Sequence, residues 1–138
     1  MARSTFVDTN VLIAAHRGTP EPRRQALAIL EDPDRFFVAS PFLQLEIVPK
    51  AIYHRQQLEV EFYQTFFDGV RIWINDLSAM VAIATEESER HGIAAMDALH
   101  IAAAYLGEAE VFYTLERAEK PIYRTNLVRV ERIGAAVA

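Results

Sequence analysis

Apolar positions along this chain fall into short β-prone runs separated by longer segments of helical period. Thr5-Phe6-Val7 is the first run, and Asp8-Thr9-Asn10 supplies turn and N-cap residues before the apolar Val11 to Ala15, so a strand leads into a helix. Residues 21 to 31, with Ala26, Leu27 and Leu30, predict a second helix that Asp32-Pro33 ends. Phe36 to Ala39 predicts a second strand. Ser40-Pro41, a hydroxyl N-cap followed by proline at the first helical position, starts a helix through Glu46 with a break or kink near Pro49. Residues 54 to 67 place Leu58, Phe62 and Phe66 at a period near four, with Glu59 and Glu61 between them, which predicts a helix carrying that stripe.

Val70, Ile72 and Ile74 then alternate as a strand. Ser78 offers an N-cap for a helix from Ala79 to about His91, with Gly92 as its stop. The segment Ala95 to Leu106, closed by Gly107, is apolar on nearly every face, as a helix buried against a sheet must be. Val111 to Tyr113 and Leu127 to Ile133 complete the strands. Strands separated by single helices or helix pairs imply right-handed crossovers and a mainly parallel sheet. The expected fold class is therefore α/β, a three-layer α/β/α sandwich forming a single domain over residues 1–138, with no internal repeat or linker.

Composition narrows the chemistry. At 138 residues and 51% hydrophobic, the chain can bury a core without staples, and its lack of cysteine excludes disulfides, thiolate-bound metals and a thiol nucleophile. Stretches free of charge, such as Phe36 to Leu45, are too short for a membrane span. Asp8 interrupts the only N-terminal apolar run that could imitate an export signal, so a cytoplasmic location is expected. A net charge of −5 opposes bulk attraction to nucleic acid and requires any such partner to meet a local patch. Residues 117 to 132 carry Arg117, Lys120, Arg124, Arg129 and Arg132 for a local balance of +3, with Tyr123 available to stack on a base, whereas residues 76 to 97 sum to −4. Lys50, His54 and Arg55 extend a possible basic rim.

Three carboxylates stand out. Asp8 follows the apolar end of the first strand, where open parallel sheets place their sites. Glu46 lies among Phe42, Leu43 and Ile47, where an unpaired carboxylate would need a cation or donors. Asp97 opens the apolar helix Met96-Asp97-Ala98-Leu99-His100-Ile101, and a helix N-terminus favours a carboxylate. Singly, each has a plain reading as a cap, an edge-of-face acid or a first-turn acid. Together, hard oxygen ligands converging on one cleft suit Mg²⁺ or Mn²⁺. His100, three residues after Asp97, is either a proton shuttle or a histidine packed in an alanine-rich helix, and His16, His54 and His91 read as surface or loop residues. A haloacid-dehalogenase-type phosphatase would need a second Asp where Asn10 stands, and no Gly-x-Ser-x-Gly elbow is present.

Phe6-Val7-Asp8-Thr9-Asn10-Val11-Leu12-Ile13, Ala39-Ser40-Pro41 through Leu45-Glu46-Ile47, and Met96-Asp97-Ala98-Leu99-His100-Ile101-Ala102-Ala103-Ala104 occur in order and in register. With these segments the chain resembles the PIN-domain ribonucleases, in their toxin-type or related prokaryotic branch. The resemblance implies a PIN-like fold and a metal-dependent endoribonuclease with Asp8, Glu46 and Asp97 as metal-binding catalytic residues. It further implies homodimerisation and an antitoxin partner, the chain being the toxin of such a pair. The family often carries a fourth acid, usually Asp, just after the strand that here ends at Tyr113. This chain has Thr114-Leu115-Glu116 there, so the resemblance implies that Thr114 matches the hydroxyl and that Glu116 either stands for the aspartate as a fourth metal ligand, directly or through a water, or faces solvent. Asn10 and Thr114 are expected to orient water or phosphate. The competing reading, favoured by Glu116, is a PIN-like module that binds nucleic acid or protein with weak or lost catalysis.

Overall fold

The computed structural model describes residues 2–134. The elements run β1 (Arg3–Val7), α1 (Thr9–Arg17), α2 (Pro20–Leu30), β2 (Arg35–Ala39), α3 (Pro41–Tyr53), α4 (Gln57–Asp68), β3 (Ile72–Trp73), α5 (Leu77–His91), α6 (Ala95–Leu106), β4 (Val111–Thr114), a 3₁₀ turn (Pro121–Arg124) and β5 (Arg129–Arg132). The five strands form one parallel sheet in the order β3-β2-β1-β4-β5. Right-handed crossovers run one way from β1 to β3 and the other way from β3 to β4, which sets α1 to α4 and the α5–α6 pair on opposite faces. The predicted three-layer α/β/α architecture is the observed one.

β1 is central and buried from Ser4 to Val7, because both of its faces are covered by helices. It pairs with β2 through Ser4↔Phe36 and with β4 through Phe6↔Phe112, whose rings stack at 5.0 Å. The core gathers Phe6, Leu12, Val38, Leu43, Met80, Ile101 and Phe112, each closed off from solvent. α6 presents Ala98 and Ala102 to Ala104 to this core, small side chains that let the helix approach the sheet closely. The order of strands reverses between β1 and β4, so a crevice opens at their carboxyl ends.

Several boundaries depart from the sequence expectation. α3 does not break at Pro49 but continues to Tyr53; burial of Ile47 and Ala51 on either side of the proline holds the helix across its missing hydrogen bond. α4 consequently begins at Gln57 rather than 54, after a tight reversal in which Arg55 takes a left-handed φ of 53°. Its buried stripe is Glu59, Tyr63 and Phe67, one position later than Leu58, Phe62 and Phe66; Leu58 is exposed, and Phe62 and Phe66 are half-buried. The aromatic residues of α4 pack across several elements, Phe62 on His16 of α1, Phe66 on Phe37 of β2 and Phe67 on Trp73 of β3. Asp76, not Ser78, caps α5, its Oδ1 accepting from the Ala79 amide at 3.1 Å. Gly92 ends that helix in the left-handed region, as expected. β3 is reduced to two residues, although flanking amides of Arg71 and Ile74 still bond to β2, and β5 is shorter at both ends than predicted. No helix among the described residues is long and apolar enough to cross a membrane.

Candidate metal centre

Asp8 ends β1 and caps α1. Its extended backbone lets Oδ1 accept from the Thr9 amide at 2.8 Å, while Oδ2 accepts from the Thr114 hydroxyl at 3.0 Å. The helix cap is therefore Asp8 rather than Asn10. Asn10 lies in the first turn, donating through Nδ2 to Thr114 Oγ1 at 3.2 Å and accepting through Oδ1 from the Leu115 amide at 3.1 Å. Thr114 is buried, and its hydroxyl also accepts from the Glu116 amide at 3.1 Å. One hydroxyl thus ties the end of β1 to the end of β4 and to the loop that carries Glu116. Tyr123 of the 3₁₀ turn donates its hydroxyl to the Glu116 carbonyl, clamping that loop from the other side.

Asp97 sits in the first turn of α6, a helix whose N-cap, Ala94, makes no side-chain bond. Carboxylate oxygens of Asp8, Asp97 and Glu116 lie within 4.8 Å of one another. Glu116, the residue standing where an Asp is usual, therefore joins the cluster. Burial, followed by repulsion from Asp8 and Glu116, raises the Asp97 carboxyl to about 6. Burial likewise raises Asp8, against the lowering effect of His100 and the Thr114 hydrogen bond. None of these three carboxylates has a Lys or Arg partner within 4.0 Å among the described residues.

Glu46 reaches the same region from the second turn of α3 but is held differently. His100 is fully buried in α6, packed against Phe6 at 5.7 Å, and its Nε2 stands 3.0 Å from Glu46 Oε1. His100 Nδ1 is buried without a hydrogen-bond partner among the described residues, and Nε2 is the ring nitrogen that donates to Glu46. That hydrogen bond is the main cause holding Glu46 below its ordinary carboxylate range. Asp8, Glu46 and His100 form a second group with ligand atoms within 4.8 Å, sharing Asp8 with the first. His100 is thus both packed and bonded to a site residue.

All four predicted acids, together with Asn10 and Thr114, meet at one edge of the sheet. The basic segment is less open than its composition suggests. Arg117 pairs with Glu119 at 3.3 Å, Arg129 with Glu131 at 3.0 Å, and Arg124 donates to the His91 carbonyl. His16 was expected at the surface, yet it lies half-buried on α1, 5.5 Å from the Phe62 ring.

A parallel sheet in this order, with an acidic centre at its switch point, gathers carboxylates here from four separate segments. The model of the PIN domain matches residues 5–126, and the chain belongs to this family of nucleases. Among solved structures, VapBC2 from Rickettsia felis, bound to a DNA fragment from its promoter, superposes with a TM-score of 0.69 at 17% identity over 94% of this chain and 98% of that one. A toxin-antitoxin complex from Klebsiella pneumoniae gives 0.63 at 20% identity, covering 83% and 88%. FitAcB from Neisseria gonorrhoeae gives 0.62 at 21% identity, covering 91% and 95%. No curated protein matches the chain in sequence.

Proposed function

We propose that this protein is a Mg²⁺- or Mn²⁺-dependent endoribonuclease acting as the toxin of a toxin-antitoxin pair. The observation that carries the reading is the convergence of Asp8, Asp97 and Glu116 within 4.8 Å, with Glu46 beside them. The donors are all hard oxygens, and Asp8, Asp97 and Glu116 have no Lys or Arg within 4.0 Å among the described residues, which fits a small divalent cation. Asp8, Asp97, Glu116 and Glu46 would hold it. When bound, such an ion acidifies a water and stabilises charge on a phosphodiester in displacement.

The chain's own residues supply order. Thr114 fixes the Asp8 carboxylate and the Glu116 amide, Asn10 holds the Thr114 hydroxyl and the Leu115 amide, and together they orient water or phosphate. His100 holds Glu46 towards the cleft. No side-chain nucleophile is needed for phosphodiester hydrolysis by this route. RNA, rather than DNA, is the substrate in this reading. The toxin assignment draws on the matched Klebsiella structure, itself a toxin-antitoxin complex, and on the VapBC2 assembly. An antitoxin protein and a second copy of the chain are the proposed partners. Exposed Leu45, Ile52, Tyr53 and Leu58 on and around the α3–α4 hairpin give apolar surface for association. Cytoplasmic action follows from such a partnership.

The test is incubation of the purified protein with a pool of structured RNAs under a titration of Mn²⁺ and Mg²⁺, with EDTA and Asp97→Asn as controls. Metal-dependent cleavage that Asp97→Asn abolishes is the expected result. Equal inactivity of both proteins in every metal, with RNA or protein binding retained, would instead establish a binding module.

A further inference from the structure

Helices α1, α3 and α4 enclose a second cleft of about 700 Å³ that shares Glu46 with the acidic centre. That volume falls within the range of small-ligand pockets. Its lining differs from the metal centre in carrying charges of both signs: Arg17 from α1, Lys50 from α3 and Glu59 from α4. Glu59 is 8% exposed and forms an ion pair with Arg17, whose Nε stands 3.1 Å from Oε1. A carboxylate so far removed from water needs further donors to offset its desolvation, and a single guanidinium contact supplies only part of them. Beside it, the buried Tyr63 hydroxyl is raised first by desolvation and then by the nearby Glu59 charge, yet it makes no hydrogen bond of ordinary geometry among the described residues. His16 lines the same cleft with its ring 6.4 Å from that of Tyr63. Polar groups are thus set into a wall that hydrophobic packing alone would have filled with apolar ones.

We infer that this cleft is a base-selective subsite, taking an unpaired guanosine next to the phosphodiester held at the carboxylates. The inference rests on the ribonuclease reading above. Guanine presents two adjacent donors, N1–H and the 2-amino group, to a carboxylate, and two acceptors, O6 and N7, to a guanidinium. Glu59 and Arg17 offer that complementary pair on one wall. Adenine and cytosine each offer a carboxylate only an amino donor beside a ring acceptor, and uracil sets its one imino donor between two carbonyls. His16 places an aromatic ring in the lining with Arg17 and Glu59. Lys50, one helical turn beyond Glu46, supplies a cation for the phosphate joining the base to the site of cleavage.

The test has a binding arm and a cleavage arm. In Mg²⁺, 5′-GMP, 5′-AMP, 5′-CMP and 5′-UMP are titrated against the ¹⁵N-labelled protein, following amide shifts around Arg17, Lys50 and Glu59. A single-stranded RNA of randomised sequence is then digested and the bases flanking the cuts are counted. The expected result is GMP binding about tenfold or more tighter than the other three, and guanine enriched at one flanking position. Glu59→Gln removes both preferences while the metal-induced rise in melting temperature persists. Lys50→Ala, at an exposed side chain, weakens GMP by about tenfold and covers the case in which Glu59→Gln fails to fold. Equal binding of the four nucleotides, or a guanine preference that survives Glu59→Gln, overturns the subsite. Metal-dependent cleavage without base preference also overturns it while leaving the ribonuclease intact. Selective GMP binding without any RNA cleavage supports the guanine cleft and defeats the ribonuclease instead.

Discussion

The Thr114 hydroxyl donates to Asp8 Oδ2 at 3.0 Å across 106 positions of sequence. The contact exists because β1 and β4 are neighbours at the reversal of strand order, so the last residue of one meets the first residue beyond the other. The same oxygen accepts from Asn10 and from the Glu116 amide, which makes it the junction of the acidic centre. Thr114→Val keeps the shape and removes the junction. It should destabilise the protein by about 1–3 kcal/mol, because buried partners lose their hydrogen bonds. Mn²⁺ affinity should fall roughly 10–100-fold, the usual consequence of losing a group that orients a ligand. Urea unfolding and calorimetric Mn²⁺ titration measure the two effects, and a variant indistinguishable from wild type in both would refute the role.

Asp97 gives a stability difference with a defined dependence on pH. Its carboxyl is raised in the folded protein to about 6 from an ordinary 3.8, so the folded state binds the proton more tightly than the unfolded one. At pH 3 both states are protonated and the group contributes nothing. As pH rises from about 4 through about 6, ionisation in the folded site becomes progressively unfavourable and stability is lost. Asp97→Asn abolishes that loss. In EDTA the variant should therefore gain on wild type across this window and be roughly 1–2 kcal/mol more stable at pH 7, a figure discounted for the half-exposed side chain. Saturating Mn²⁺ should reverse the order, since wild type alone keeps its full set of ligands. Thermal melts at pH 3.5, 5 and 7 with and without metal decide it; parallel curves in EDTA would rule out the electrostatic account.

His100 shows how far the sequence could be read. Its packed environment was legible from the alanine-rich helix, but its bond to Glu46 joins positions 54 apart that only the fold brings together. The three main acids were legible because each stood beside a local signal, a strand end, an apolar helix or a helix start. Their mutual distances were not, and Glu116 was expected in the cluster only through the family resemblance, no local signal marking it. Residue type misled at α4: Leu58 is exposed and Glu59 buried, since Arg17 on α1 gives the glutamate a partner that no pattern within α4 records. Pro49 misled likewise, because tertiary burial on both sides outweighed one missing helical hydrogen bond.

Removing the His100 side chain should affect both stability and turnover. His100→Ala leaves a buried void beside Phe6 and deprives Glu46 of its donor, for an expected loss of about 2–4 kcal/mol. His100→Gln keeps an amide donor within reach of Glu46 and should recover part of the cleavage rate at equal protein stability. Comparing kcat and KM for the two variants separates positioning from packing. If kcat follows stability alone, with glutamine no better than alanine once both are folded, His100 is a packing residue only.

Glu116 decides whether the departure from aspartate preserves the metal centre. Its oxygen lies within 4.8 Å of those of Asp8 and Asp97, and its backbone is clamped by Thr114 and Tyr123, so the longer side chain starts from a fixed base. A fixed base lets an extra methylene act as reach rather than as slack. Glu116→Gln should lower Mn²⁺ affinity by at least about tenfold and slow cleavage, because it removes a charged oxygen ligand while leaving the loop in place. Glu116→Asp keeps the charge but withdraws it by one carbon, so it should retain folding and lose affinity by a smaller factor. Glu131→Gln, at a carboxylate paired with Arg129 on the edge strand, serves as the control and should change neither. Calorimetric titration of the four proteins with Mn²⁺ gives the ranking directly. Wild-type affinity in Glu116→Gln would place this carboxylate outside the metal centre and leave Asp8, Glu46 and Asp97 to bind the ion alone.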